Sequence, residues 1–356
     1  MRFIVIILFL ISLSLFFSVY VSPESFPYSG LLPLLIPLFM LLNIFLAVMF
    51  LFGRSRLIIY PIIALALGYK FFGITFQWNP REETEESITL LSFNTMQFSY
   101  GMYKENLEKS KNIIQWAKDH PADIKCFQEF YQDFTTPSKN AIKIITEDGK
   151  LNHSYQSIIG NRKNRSHGVA IVSRFPIINE GRVFDNRRNN GAMFVDLVVK
   201  KDTMRIYNVH LESMSIPAEE LSDVEGIKLH YRETIRKIKN GTIMRAEQLK
   251  TLKEHMENSP YPVIIAGDFN DIPYSYTYFS LRSILNNAFE EAGKGFGFTY
   301  NKVLFFLRID HIFHDKVFKA KNFRTHTEVD YSDHYPISTE FIWKSPLRVI
   351  SEENAP

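Results

Sequence analysis

Cysteine is almost missing from this chain. Cys126 is the only one in 356 residues, so no intramolecular disulfide can form. It lies within an apolar stretch and reads as a core thiol rather than a reactive one. Net charge is also scarce, with 41 Lys+Arg against 38 Asp+Glu. That balance offers no bulk basic footprint for nucleic acid. A hydrophobic content of 46% excludes a disordered chain, which needs low hydrophobicity and high net charge. No internal repeat is present.

Charge is not missing evenly. The first 78 residues carry four basic side chains (Arg2, Arg54, Arg56 and Lys70) and one acidic, Glu24. Of the totals above, the remaining 278 residues therefore hold 37 of each sign, the charge density of an ordinary soluble domain. Three apolar runs fill the N-terminal region, at about 3–21, 31–52 and 57–78, the last interrupted by Lys70. At about 1.5 Å per residue, each has the length of a transmembrane helix. Pro33, Pro37 and Pro61 are tolerated in such spans, and Lys70 can snorkel to the interface. No small-residue cleavage site follows the first run, which argues against a removed signal peptide. The short loop Gly53–Arg56 has two arginines, whereas Ser22–Gly30 has none. The positive-inside rule then puts Arg2, Arg54 and Arg56 in the cytoplasm. With three spans, the chain after Trp78 emerges on the non-cytoplasmic side of the membrane. Residues 79–86 read as a linker, 87–343 as one large domain, and 344–356 as a polar tail.

Beyond Ser87, short apolar strands alternate with helices. Strands are expected at Ile88–Phe93, Ile124–Gln128, Gly168–Ser173, Ala192–Val199, Met204–Val209, Val263–Ala266, Arg308–Phe313 and Ile337–Trp343. Helices are expected at Glu105–Lys118, around Tyr276–Leu285, and over Ala218–Glu257 with a break at Asn240-Gly241. The mixture of hairpins and helices points to an α+β layered sandwich rather than a doubly wound parallel sheet.

Polar residues recur where these strands end: Asn94, Glu129, Asn208, His210, Asp268, Asn270, Asp310 and the pair Asp333-His334. One carboxylate after a strand is usually a turn residue. Their local sequences carry more weight. Leu91-Ser92-Phe93-Asn94, Gln128-Glu129, Ser173-Arg174-Phe175-Pro176-Ile177, Asn208-Val209-His210-Leu211, Gly267-Asp268-Phe269-Asn270, Arg308-Ile309-Asp310 and Ser332-Asp333-His334 follow in this order. This set resembles the endonuclease/exonuclease/phosphatase superfamily, which includes deoxyribonuclease I, apurinic endonucleases, neutral sphingomyelinases and inositol polyphosphate phosphatases. The resemblance implies a four-layer α/β sandwich that hydrolyses phosphoesters with a divalent metal, Mg²⁺ or Mn²⁺. It implies Glu129 as principal metal ligand, with Asn94 on metal or phosphate and Asp333 as a further ligand. Asp268 would orient or deprotonate the attacking water. Asn270, His210 and His334 would hold the phosphoryl group, with His334 set by Asp310. The general base is not assigned to one residue.

Other clusters read as ordinary surface or core. His311 and His314 look like packing or rim residues, and Arg162, Lys163, Arg165 and His167 like a solvated loop. Arg232, Arg236, Lys237 and Lys239 read as a helix face in solvent. Val303–Leu307 reads as a buried strand, or as a segment that wets a bilayer. The substrate stays open. Lipid head groups and small phosphoesters are favoured by the anchor, a metal-dependent nuclease is the alternative, and a non-catalytic binding module is disfavoured by the complete residue set.

Overall fold

The apolar runs become helices, but unequal ones. In the computed structural model, residues 2–83, 86–100, 107–146, 151–160, 165–186, 190–214, 216, 224–302, 304 and 306–344 are described. Helix α1 is Arg2–Ser18, α2 is Ile36–Phe52, α3 is Ile59–Leu67 and α4 is Tyr69–Thr75. A 3₁₀ turn over Leu32–Leu35 runs into α2, with Pro33 and Pro37 in the first turns, where a missing N–H leaves no bond unmade. The joined helix Leu32–Phe52 has 21 residues and, among the described residues, alone is long and apolar enough to cross a bilayer unbroken. Only 22% of its most apolar window is buried, so it is not the core helix of a soluble domain.

The expectation of three equivalent spans is thereby corrected. Helix α1 stops after 17 residues, and Val19 beyond it is wholly buried in the same core cluster as α8 and the sheet below. The third run bends by 52° between α3 and α4 and reaches span length only if both halves are counted. The bend lies at Gly68, which packs so closely on α1 that a Cβ there would sit 2.9 Å from the Phe16 ring. A buried hydrogen bond from Asn43 to Ser12 (2.8 Å) ties α2 to α1, a polar link of the kind found between helices in lipid.

After α4 the chain forms the short strand β1 (Gln77–Trp78), then β2 (Ile88–Asn94), α5 (Leu107–Asp119), β3 (Ile124–Asp133), α6 (Ala141–Ile145), β4 (Asn152–Gly160), β5 (Arg165–Ser173), β6 (Ile177–Asp185), β7 (Gly191–Val199) and β8 (Asp202–His210). There follow α7 (Val224–Glu257), β9 (Val263–Asp268), α8 (Tyr276–Arg282), β10 (Asn286–Asn287), α9 (Ala288–Ala292), β11 (Lys294–Gly295), β12 (Asp310–His314), β13 (Phe318–Thr325) and β14 (Ile337–Trp343). Two six-stranded sheets, ordered β13-β14-β2-β3-β5-β4 and β10-β12-β9-β8-β7-β6, face each other across a core that includes Leu90, Cys126, Ile206 and Ile264. Helices α5 and α6 cover the first sheet, and α7 and α8 the second. The α+β sandwich expected from the sequence is present. Each sheet has one parallel pair, β2–β3 and β8–β9, whose chains therefore run to a common rim.

Several local expectations change. Helix α7 continues through Asn240-Gly241, because Gly241 packs tightly on Met214 and Arg245 and the neighbouring turns hold it. In the Val303–Leu307 segment, Leu304 and Phe306 lie in turns and Phe306 is half exposed, so the buried strand is not found there. Strands β4, β6 and β13 had no clear sequence signal. The helical part of the third run ends short of Trp78, which lies in β1, paired with β11. The linker after it is docked: Asn79 N–H donates to the Gly293 carbonyl (3.2 Å), and Asn322 exchanges hydrogen bonds of 2.9 and 2.7 Å with Glu82. Arg162, Lys163, Arg187, Arg188 and the tail after Lys344 lie outside the described residues.

Candidate active site

The rim where both parallel pairs end collects the polar residues picked out in the sequence. Asn94 and His210 are the last residues of β2 and β8, and Asp268 ends β9 in register with both His210 and Asp310. The backbone is contorted at this rim. Glu129 sits at a register shift in β3 with φ +48°, and Asn270 has φ +49°. Met96–Ser99 hold four consecutive positive φ values, and Thr95 hydrogen-bonds the Gln128 and Glu129 carbonyls. Positive φ at a non-glycine residue is costly, and such outliers cluster where side chains must be re-aimed for function.

Asp268 is the centre of the arrangement. Its Oδ2 accepts a hydrogen bond from the Asn94 amide (2.9 Å), and its Oδ1 accepts from the Asn270 backbone N–H (2.8 Å). His210 Nε2 and His334 Nε2 each lie 3.6 Å from Oδ2. On its far side, His334 donates from Nδ1 to Asp310 Oδ2 (2.8 Å), and both residues are at most 5% exposed. Burial alone disfavours an imidazolium, but the Asp310 and Asp268 carboxylates outweigh it and hold His334 well above the ordinary histidine range. The Asn270 amide donates to the Leu211 carbonyl (3.0 Å). Asn208 stays inside the sandwich, donating to Phe127 and Ala170 carbonyls and accepting from Gln128, so it joins the sheets rather than the site.

Glu129 faces outward and keeps 23% of its side-chain exposure, with Oε1 at 3.9 Å from His210 Nε2. Its carboxyl is pushed above the usual range, first by burial and also by the Asp333 and Asp268 carboxylates, against the pull of His210 and His334. Such an excess of carboxylate on an open face fits a hard divalent cation. Asp268, Asp310 and His334 also place one donor atom each within 4.8 Å of one another. That trio is a poorer seat, because Asp310 and His334 are bonded to each other and all three are buried away from the waters Mg²⁺ retains. No thiolate is at hand for zinc, as Cys126 is fully buried and burial raises its pKa further.

A sequence profile of the endonuclease/exonuclease/phosphatase family matches residues 91–334, which holds every one of these site residues. The chain belongs to that family. Residues 1–75 separately match a domain of unknown function. No curated protein matches the chain in sequence. Solved structures share the fold of this endonuclease/exonuclease/phosphatase domain at low identity. The human nocturnin catalytic domain with bound sulfate is 17% identical, covering 74% of this chain and 97% of its own, with a TM-score of 0.53. An endonuclease/exonuclease/phosphatase from Bacteroides vulgatus is 15% identical over 73% of this chain and 100% of its own, with a TM-score of 0.51. One from Beutenbergia cavernae is 13% identical over 73% and 72%, also at 0.51.

Four supports of the endonuclease/exonuclease/phosphatase site were not read from the sequence. Tyr300 presents its ring edge-on to His334 at 5.4 Å, and its hydroxyl is pushed up to about 12 by burial and by Asp333 and Asp268. Arg245 of α7 is wholly buried, paired with Asp271 (3.1 Å) and donating to the Glu212 carbonyl (2.9 Å), so it braces the loops after His210 and Asp268. Arg308 lies two residues before Asp310, stacks 3.8 Å over Phe289, and donates to the carbonyls of Phe296 (2.8 Å) and Ile74. On the other loop, Tyr274 bonds Thr75 (2.7 Å) and packs on Phe71. Both loops of the candidate site thus rest on the last turn of α4. Spatial proximity alone reveals these contacts, as nothing in the residue spacing signals them.

The core assignments stand for His311, buried and pulled down to about 3 by burial, and for His314, packed on Phe341. Arg165 pairs with Asp133 at 3.1 Å. A cavity of about 880 Å³, lined partly by Arg81, His120, Phe298 and Arg324, holds none of the catalytic candidates.

Proposed function

We propose that the protein is a membrane-tethered, metal-dependent phosphoesterase acting on a lipid head group or small phosphoester. The observation that carries the reading is the convergence of Asn94, His210, Asn270 and His334 around the buried Asp268, with Glu129 and Asp333 left on the open side. Glu129 and Asp333, with Asn94 beside them, would hold a Mg²⁺ or Mn²⁺ ion. When bound, the ion neutralises charge on the phosphoryl oxygens.

The chain's own groups do the rest. Asp268 accepts a proton from, or orients, a water in line with the leaving oxygen. The water oxygen bonds to phosphorus as the ester P–O bond breaks, and the leaving oxygen takes up a proton. His334, kept cationic by Asp310 and Asp268, donates to a phosphoryl oxygen from Nε2. His210 and Asn270 flank the same position and bind the remaining oxygens.

Tethering is supported by the poorly buried, unbroken helix Leu32–Phe52 and by outward apolar side chains such as Phe45 (63% exposed) and Phe3 (74%). Arg2, Arg54 and Arg56 flank the apolar helices, and the positive-inside rule applied to them favours a domain on the non-cytoplasmic side. A membrane-held site gains effective concentration toward lipids. A nuclease would instead grip its substrate through local basic patches, since the charges of residues 79–356 cancel overall, and it is the close alternative. The deciding experiment offers the full chain in bilayer nanodiscs phospholipids, inositol phosphates and plasmid DNA, each with Mg²⁺. Turnover of the first or second class is expected. Plasmid nicking with no turnover of the others would make it a nuclease.

A further inference from the structure

We propose that the N-terminal half of α7 lies on the anionic headgroup layer of the bilayer, gripping lipid phosphates with an arc of four cations. The inference rests on the tethering reading above and adds a second, non-catalytic lipid contact to it.

The two halves of α7 are differently placed. The C-terminal half buries Ala246, Leu249, Leu252 and Met256 against the sheet, whereas no described residue from 228 to 240 is buried. At about 100° per residue, Lys228, Arg232, Arg236 and Lys239 fall within one arc of about 80°. Large apolar side chains flank that arc: Tyr231 (47% exposed) and Ile235 (43%) on one side, Leu229 (76%) on the other. Glu233 is the single acid from 228 to 240, and it pairs with Arg236 at 2.9 Å. A basic stripe edged by aromatic and aliphatic side chains is the composition of a helix at a membrane surface.

The arc also points the right way. Lys239 sits 5.8 Å over the Tyr28 ring, and Gly30 packs directly on Thr242. Both Tyr28 and Gly30 belong to the segment joining α1 to α2, at the helix ends nearest the domain. Tyr20, Tyr28 and Trp78 are exposed in the segments that follow α1 and α4, the kind of place where an aromatic belt forms. Lys239, at one end of the arc, therefore lies beside the segment where the apolar helices turn, and phosphate-bearing lipids complement the arc it belongs to. Farther along, the same helix carries Arg245, so its seating bears on the loops of the active site.

Because Cys126 is fully buried, an introduced surface cysteine can be spin-labelled selectively. Full-length Leu229→Cys, Ile235→Cys, Asp119→Cys and Phe45→Cys would be placed in nanodiscs of phosphatidylcholine alone or mixed with phosphatidylglycerol. Accessibility to a water-soluble relaxant is then read by electron paramagnetic resonance. In anionic discs, labels at 229 and 235 should be about fivefold less accessible than the label at 119. Adding Arg232→Glu and Arg236→Glu should restore their accessibility. Labels at 229 and 235 as accessible as 119, with 45 shielded, would overturn the proposal and leave the anchor intact. Water access at 45 would overturn the anchor and the proposal together.

Discussion

Replacing Asp310 by Asn removes one charge from the site and little else. The side chains are isosteric, and Thr299 Oγ1 still accepts from the Ile309 and Asp310 N–H groups (3.0 and 3.2 Å), so β12 keeps its place. The lost interaction is the buried 2.8 Å hydrogen bond between imidazolium and carboxylate. Hydrogen bonds to charged groups contribute about 1.5–3 kcal/mol. If His334 acts as a cation in the transition state, that converts to a fall in kcat of about 10- to 150-fold. The pH dependence carries a sign. His334 is raised in the folded protein, so its proton persists above the ordinary imidazole range and is lost as pH rises through the raised value. Without Asp310, burial still disfavours the cation and only Asp268 at 3.6 Å and the Asp333 carboxylate oppose it, so the alkaline limb of kcat/KM should move to lower pH. Stability gained from the pair is fully present below the unfolded pKa of histidine and fades at higher pH, and the variant should lose that slope. Steady-state kinetics between about pH 5 and 9, with thermal melts alongside, reads all three quantities. A kcat within twofold of wild type and an unmoved alkaline limb would show that the pair only packs.

Glu129→Gln should keep its melting temperature but lose Mn²⁺ binding, measured by calorimetry, and most activity with it. Unchanged Mn²⁺ affinity would remove Glu129 from the metal site. Arg308→Met leaves the buried Ile74 carbonyl without its Arg308 donor, at about 1–3 kcal/mol, and removes a second, half-exposed bond to the Phe296 carbonyl. In a domain of this size, each kcal/mol lowers the melting temperature by about 2–4 °C. A melt unchanged from wild type would mean the α4 turn does not support the catalytic strand. A protease site placed after Lys344 should be cut from outside intact cells and one at Arg54 should not. The reverse pattern would put the active site in the cytoplasm.

The sequence exposed most of the chemistry because strand ends are local features. Asn94, His210, Asp268 and Asp310 each terminate or begin a short apolar run, and the structure brings them together at one rim. What stayed hidden is set by tertiary contact. Gly68 reads as one apolar residue among many, yet its close approach to Phe16 bends the third run. Asn240-Gly241 carries a breaker signal that contacts of Gly241 to Met214 and Arg245 override. Arg245 and Arg308 look like ordinary surface cations, but both are buried beside catalytic loops. The alternation that marks a strand is weak in β4 and β6, whose described residues are largely half-buried or exposed.

The most direct test of the central claim is hydrolysis of bis-p-nitrophenyl phosphate by the full-length protein in nanodiscs, beside Asp268→Asn. The account predicts nitrophenolate release that EDTA abolishes, that Mg²⁺ or Mn²⁺ restores, and that Asp268→Asn loses while staying folded. Undiminished hydrolysis in excess EDTA, or equal rates for wild type and Asp268→Asn, would contradict it.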